Sequence, residues 1–269
     1  MKKLKIGIVG CGAIGTSLAV LIDKRLISAK VVSLCDVDEA KARALKKKLR
    51  RGSVCSLQQA VKACDLLVEA ASAKASFEIA KQALLCRKDV LLMSIGGVLG
   101  REKKLFDIAR KNKARIYFPS GAICGLDGLK ALIPAGIEGI TLRTMKPPRA
   151  LEGADYIVKN KIDLSRIKED KIIFRGVALE AVKAFPQNIN VVALLSIAAC
   201  GLCVPRVEII ASPGSKRNIH VIEIRSKAAR LLIRCENVPS PDNPKTSYLA
   251  VLSAFSVISG ISDVVNIGS

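Results

Sequence analysis

An apolar run, Leu4-Lys-Ile-Gly-Ile-Val9, leads directly into Gly10-Cys-Gly-Ala-Ile-Gly15. The run reads as a buried strand and the residues beyond the last glycine as a helix. A strand, a glycine turn and a helix in that order make a binding site for the pyrophosphate of a dinucleotide. Gly10 permits the tight turn, Gly12 lets backbone approach the phosphates, and Gly15 lets the helix pack close to the strand. Ala13 and Ile14 open the helix, whose unpaired N–H groups face the anion. A second apolar run, Lys30–Cys35, ends at Asp36, 21 residues beyond Gly15. An acid there hydrogen-bonds the ribose 2′-hydroxyl of the adenosine and repels a 2′-phosphate. Lys41 and Arg43 on the next helix can accommodate that phosphate instead, so NAD and NADP both stay open.

Strand and helix patterns alternate as far as Phe118. Strands are predicted at 4–9, 30–35, 53–56, 65–70, 89–93 and 114–118, and helices at 13–26, 38–49, 57–63, 74–86 and 101–112. Repeated βα units predict an α/β fold with a doubly wound parallel sheet, a Rossmann domain over residues 1–118. Ligands of such sheets lie beyond the C-terminal strand ends. That gathers Cys11, Asp36, Ala71, Ser72, Ser94 and Ser120 around one crevice, with Ala71 and Ser72 as further cofactor contacts. The pattern then changes to short strands and helices, predicting a second, α+β substrate domain over 119–269. Its segments 204–211, 219–225 and 229–235 read as antiparallel strands. Asn243-Pro-Lys-Thr-Ser-Tyr248 reads as the start of a final helix over 244–259, with Asn243 as N-cap, Pro244 at N1 and Gly260 as the stop. That helix is expected to return to the first domain or to line the cleft.

Composition narrows the class. Half of the 269 residues are apolar, which excludes a disordered chain, and no apolar run is long enough to span a bilayer. Met1-Lys-Lys resembles a signal n-region, but the glycine turn interrupts the apolar stretch behind it. A cytoplasmic protein without membrane association is expected. A net charge of +21 suggests nucleic acid. The cations are spread along the chain, however, and with no tryptophan and 3% aromatic residues there is no stacking surface. Attraction of anionic substrate and cofactor is the simpler use of the charge, and no nucleic-acid partner is expected. Of nine cysteines, Cys200 and Cys203 form the one CxxC, with no second CxxC and a single histidine in the chain. No metal site is expected, and most thiols read as reduced core residues.

His220, in Asn218-Ile-His-Val, is the natural candidate for moving a proton near neutral pH. Cys124 follows the last strand of the first domain at a helix start, the place for a thiolate nucleophile, with a packed thiol as the alternative. Backbone N–H groups of Ser120–Gly125 can bind a carboxylate. Asn188, Lys245, Thr246 and Ser247 carry groups suited to the same task, though each also has a capping or turn explanation.

Several segments recur together in one order: Gly10-Cys-Gly-Ala-Ile-Gly15, Val68-Glu-Ala-Ala-Ser72, Pro119-Ser-Gly-Ala-Ile-Cys-Gly-Leu-Asp127, Phe185-Pro-Gln-Asn-Ile-Asn-Val191, Asn218-Ile-His220 and Asn243-Pro-Lys-Thr-Ser-Tyr-Leu-Ala250. As a set they resemble the L-aspartate dehydrogenase family over essentially the whole chain. The resemblance implies NAD- or NADP-dependent oxidation of L-aspartate to iminoaspartate, which hydrolyses to oxaloacetate and ammonia or feeds quinolinate and NAD synthesis. It implies His220 as the active-site histidine, Ala122 and Asn188 as cofactor contacts, and a homodimer. It lowers the standing of Cys124, since aspartate oxidation needs no acyl-enzyme. The rival readings are a dehydrogenase or reductase of another small dicarboxylate or amino acid, and a non-catalytic NAD(H) sensor.

Overall fold

Strand β1 (Leu4–Val9) buries Ile6 and Ile8 completely, and the first sheet grows outward from it. The computed structural model describes residues 3–24, 26–185, 189–240, 243–265 and 267. After β1 come α1 (Ala13–Asp23), β2 (Ala29–Cys35), α2 (Glu39–Lys48), β3 (Ser53–Val54), α3 (Leu57–Ala63), β4 (Leu66–Glu69), α4 (Ala73–Leu85), β5 (Asp89–Leu92), α5 (Glu102–Asn112) and β6 (Ile116–Tyr117). The six strands lie in the order β3-β2-β1-β4-β5-β6, each parallel to its neighbours. The order reverses direction between β1 and β4, which opens a crevice at their C-terminal ends. Leu66, Leu67 and Val68 of β4 and Val90, Leu91 and Leu92 of β5 are at most 1% exposed. Such continuous apolar runs are what a strand covered by helices on both faces requires. Helix starts are set locally. The Asp38 carboxylate accepts the Ala40 N–H at 3.1 Å, and Ser56 and Gln59 form a reciprocal capping box.

The rest of the chain folds as α6 (Leu126–Leu132), β7 (Ile137–Lys146), α7 (Asp155–Lys159), β8 (Lys171–Val177), α8 (Ala178–Ala184), α9 (Ile189–Ala198), β9 (Arg206–Ala211), β10 (Asn218–Ser226), β11 (Arg230–Asn237), the ribbon strands β12 (Pro239–Ser240) and β13 (Asn243–Ser247), and α10 (Tyr248–Ser262). The second sheet has the order β11-β10-β7-β9-β8. It departs from the expected antiparallel pattern in one place: β9 runs parallel to β7, while β7–β10, β10–β11 and β8–β9 are antiparallel. The helical stretch α7 to α9 carries the chain over before β9, and such a crossover is the kind that returns a strand in the same direction.

The period of two sorts the second sheet's side chains. Ile140, Leu142, Thr144 and Lys146 alternate along β7 on its buried face, and Ile222 and Ile224 share that face of β10 with His220. The other face carries alternating charges across all five strands: Arg175, Glu208, Arg143, Glu223 and Arg230, linked at 3.0, 2.9, 3.6 and 2.9 Å. Phe174 of β8 packs with Tyr156 and Phe185, the ring centroids of the three lying 5.2–5.7 Å apart.

The final helix begins later than its sequence suggests. Residues Asn243–Ser247 are strand β13, and α10 starts at Tyr248 and runs through Gly260 to Ser262. The capping pattern loses to a longer-range bond, since Tyr248 N–H donates to the Val238 carbonyl at 3.0 Å and holds the preceding residues extended. Pro244 is tolerated in so short a ribbon because an edge strand needs no N–H there. By density of packing the chain divides into two units, Met1–Gly121 with Pro241–Thr246 and Ala250–Ser269, and Ala122–Ser240 with Ser247–Leu249. In the first of these, the Ser253 hydroxyl oxygen of α10 accepts the Gly121 N–H at 2.9 Å.

Candidate functional site

In the first unit the glycine turn has the geometry that its sequence calls for. Gly10 has φ +95°, in the region that disfavours side chains, and a Cβ there would strike the Ala70–Ala71 backbone. A Cβ on Gly15 would strike the Gly10 carbonyl, so α1 and β1 approach as closely as backbone allows. Gly12 is different. It is the exposed N-cap of α1, and a Cβ there would meet nothing within 4 Å. The open space over Gly12, ahead of the N–H groups of Ala13 and Ile14, fits a diphosphate.

Asp36 stands beside this turn. Its Oδ2 accepts the Cys11 N–H at 2.7 Å and its Oδ1 accepts the Asp38 N–H at 2.9 Å. Each oxygen keeps a lone pair, so the carboxylate is fixed in orientation and still able to receive two ribose hydroxyls. Across the crevice, Glu69 closes β4 with no exposed surface. Its Oε1 accepts the Ala71 N–H at 2.8 Å and its Oε2 accepts the Ser94 N–H at 3.0 Å. Burial pushes its carboxyl above the usual range, against the pull of these amides. One buried acid therefore sets both loops that carry Ala71, Ser72 and Ser94. Ser72 is the N-cap of α4, and Ala71 and Ser72 are exposed. A separate cleft of about 300 Å³, lined by Lys3, Ile27, Ser28, Ser259 and Asp263, lies at the N-terminal ends of β1 and β2, the end of a parallel sheet that ligands of this fold do not use.

In the second unit, adjacent strands bring three side chains together. His220 on β10 is in register with Thr144 on β7, and its Nδ1 lies 3.0 Å from Thr144 Oγ1. His220 is 5% exposed and Thr144 1%. Lys146, two residues farther along the same face, is 8% exposed. Burial alone lowers its ammonium, and no ion pair with a carboxylate is found for it among the described residues. Burial, and then the Lys146 charge, holds the His220 imidazole down at about 4. The result is a neutral imidazole beside a buried cation that no carboxylate of the described residues pairs. Asn237, at the end of β11, donates from Nδ2 to the Ala122 carbonyl at 3.0 Å and accepts from Ser247 Oγ at 2.6 Å. Ser247, expected on a helix as a carboxylate binder, thus ends an extended strand with its hydroxyl engaged by Asn237. Thr246 also falls on β13 rather than on a helix. Ser120 is half-buried just before Gly121. Asn188 and the Lys245 side chain lie outside the described residues.

Residues 127–261 match the family profile described as aspartate dehydrogenase, C-terminal, and residues 10–119 match one described as the NAD binding domain of homoserine dehydrogenase. L-aspartate dehydrogenase of Methanococcoides burtonii is 46% identical over 99% of this chain and 100% of its own length. That of Methanosarcina acetivorans is 43% identical with the same coverage. The chain belongs to the aspartate dehydrogenase family. The family's fold is shared as well: the crystal structure of aspartate dehydrogenase from Thermotoga maritima superposes with a TM-score of 0.75 at 24% identity, covering 98% of this chain and 99% of that one.

The match over residues 10–119 makes the first unit the NAD-binding one. Thr144, Lys146 and Asn237 belong to no motif of the sequence, and the Val68–Ser72 segment assigns Glu69 no role. Two of them leave a local signal, though not of their partners. Glu69 is an acid closing an apolar strand, and Lys146 is a cation on the same alternating face as Ile140 and Leu142.

Proposed function

We propose that the chain is an NAD(P)-dependent L-aspartate dehydrogenase in which His220 handles the amine proton and Lys146 binds a substrate carboxylate. The observation that carries this is the buried Lys146, with no carboxylate partner among the described residues, beside the neutral His220. Burial is unfavourable for a cation, and an anionic ligand relieves it. L-Aspartate supplies two carboxylates and an amine, which match a cation and a base.

When bound, the nicotinamide accepts the hydride that leaves Cα. Gly10, Gly12, Ala13, Ile14 and Gly15 hold its diphosphate, Asp36 the adenosine ribose, and Ala71, Ser72, Ala122 and Asn188 contact the remainder. The protein's own task is the proton. For Nε2 to act as base, Nδ1 must carry the ring proton and donate it to Thr144 Oγ1, which fixes tautomer and orientation together. In the free enzyme the imidazole is a weak base, held down by burial and by Lys146. A carboxylate paired with Lys146 cancels the second of these causes and raises the imidazole when the amine arrives. His220 then takes the amine proton, and the imine forms as the hydride departs. Ser120, Lys245, Thr246 and Ser247 supply further polar groups for the carboxylates.

The resemblance supports release of iminoaspartate to hydrolysis or to quinolinate and NAD synthesis, a homodimer, and action in the cytoplasm. Among the described residues no helix is long and apolar enough to cross a membrane. The test is nicotinamide absorbance with NAD and NADP against L-aspartate, D-aspartate, L-glutamate, L-malate and L-homoserine. Reduction with L-aspartate alone supports the reading. Faster reduction with L-malate or L-homoserine refutes it, and tight NADH binding with no turnover of any substrate favours a sensor.

A further inference from the structure

The second unit holds a pair of thiols that the dehydrogenase reaction does not use. Residues Ala122–Gly128 pass over β11 and meet its side chains in turn. Asn237 Nδ2 bonds to the Ala122 carbonyl. A Cβ on Gly125 would strike the Ile233 side chain, and one on Gly128 would lie 2.8 Å from Leu231 Cδ1. Between these fixed points, Cys124 comes against Cys235. Cys235 is buried, in direct register with His220 on β10, whereas Cys124 is exposed.

We propose that Cys124 and Cys235 form a reversible disulfide that shuts down turnover when the enzyme meets a hydroperoxide. An exposed thiol beside a buried second thiol is the arrangement of a reacting and a resolving cysteine. The Cys124 sulfur attacks one peroxide oxygen; the O–O bond breaks, water leaves, and Cys124 becomes a sulfenic acid. The Cys235 sulfur then attacks the Cys124 sulfur. The S–O bond breaks, a second water leaves, and the S–S bond forms. Two electrons pass from the thiols to the peroxide, and a dithiol reductant returns them. Burial, followed by the neighbouring Cys124, pushes the Cys235 thiol up to about 11, so it stays protonated until the sulfenic acid appears beside it. Closing the bond draws Cys124 against β11, displacing Ala122 two residues before it and straining the strand position paired with His220. The bond's formation is independent of the substrate assignment, and only its effect on turnover rests on the dehydrogenase reading.

The fully reduced protein is treated with hydrogen peroxide, its free thiols are blocked, and the digest is analysed by mass spectrometry. A peptide joining Cys124 to Cys235, released by dithiothreitol, is expected. L-Aspartate turnover falls roughly tenfold or more in step with it and recovers on reduction. Cys124→Ser forms no cross-link and keeps its turnover through the same treatment. The proposal is overturned if Cys124 goes to sulfinate while Cys235 stays free, if the cross-link joins other cysteines, if it forms with turnover unchanged, or if Cys124→Ser is inactivated like the wild type. If aspartate is not a substrate at all, the cross-linked peptide still decides whether the bond forms.

Discussion

Replacing Thr144 by valine tests how His220 is held. The two side chains have nearly the same shape, so the change swaps one hydroxyl for a methyl at a position 1% exposed. The imidazole it faces is 5% exposed, and the bond lost is 3.0 Å long. With so little exposure, water is poorly placed to take over, and Nδ1 is left buried without a partner. A polar group abandoned in this way costs about 1–3 kcal/mol, which should appear as a lower urea midpoint with an unchanged m-value. Catalysis suffers separately. If the hydroxyl biases the tautomer by about 1.4 kcal/mol, its loss lowers kcat about tenfold, and misorientation of the ring adds to that. NADH affinity should stay within about twofold, because Thr144 lies outside the glycine turn and the Asp36 site. Thr144→Ser, which keeps the hydroxyl, should restore most of both losses. Steady-state kinetics and NADH fluorescence titration on the three proteins supply the data. Full turnover in Thr144→Val, or a fall in NADH affinity matching the fall in kcat, refutes the idea that Thr144 acts by positioning His220.

Further outcomes follow from the same geometry. Lys146→Met should raise KM for L-aspartate by roughly a hundredfold, as for a lost buried charge pair, while leaving folding stability equal or higher, because a desolvated cation is gone. Equal KM values for the two proteins would remove Lys146 from the site. Asp36→Ala should improve the use of NADP relative to NAD, and an unchanged ratio would take Asp36 out of the ribose site. His220 also predicts a pH dependence of stability. Its imidazole titrates near 6.5 when unfolded and near 4 when folded, so its contribution is fully present above pH 6.5 and is lost as pH falls toward 4. The loss amounts to roughly 3 kcal/mol, readable as a slope in urea midpoint that His220→Gln abolishes.

Much of this fold is visible in the sequence because its signals are local. β1 and α3 have the expected bounds, and the other strands and helices of the parallel sheet lie within a few residues of theirs. Central parallel strands are apolar on both faces, and Gly10 and Gly15 fix a turn where backbones nearly touch. What escapes sequence reading depends on distant partners. Asn243 and Pro244 satisfy every local rule for a helix start, yet Tyr248 is bonded to Val238 and the chain stays extended until then. The parallel pairing of β7 with β9 joins segments separated by three helices and another strand. His220 was legible as the single histidine. Its partners were not, because Thr144 and Lys146 become its neighbours only through the β7–β10 register. Glu69 reads as a strand residue until the Ala71 and Ser94 amides are seen to converge on it.

The most direct test of the account is His220→Ala, measured for L-aspartate turnover and for NADH affinity in parallel. Loss of a general base predicts a kcat lower by about 10²–10⁴-fold with NADH binding nearly unchanged. Turnover that survives intact would contradict the central claim and return the amine proton to some other group.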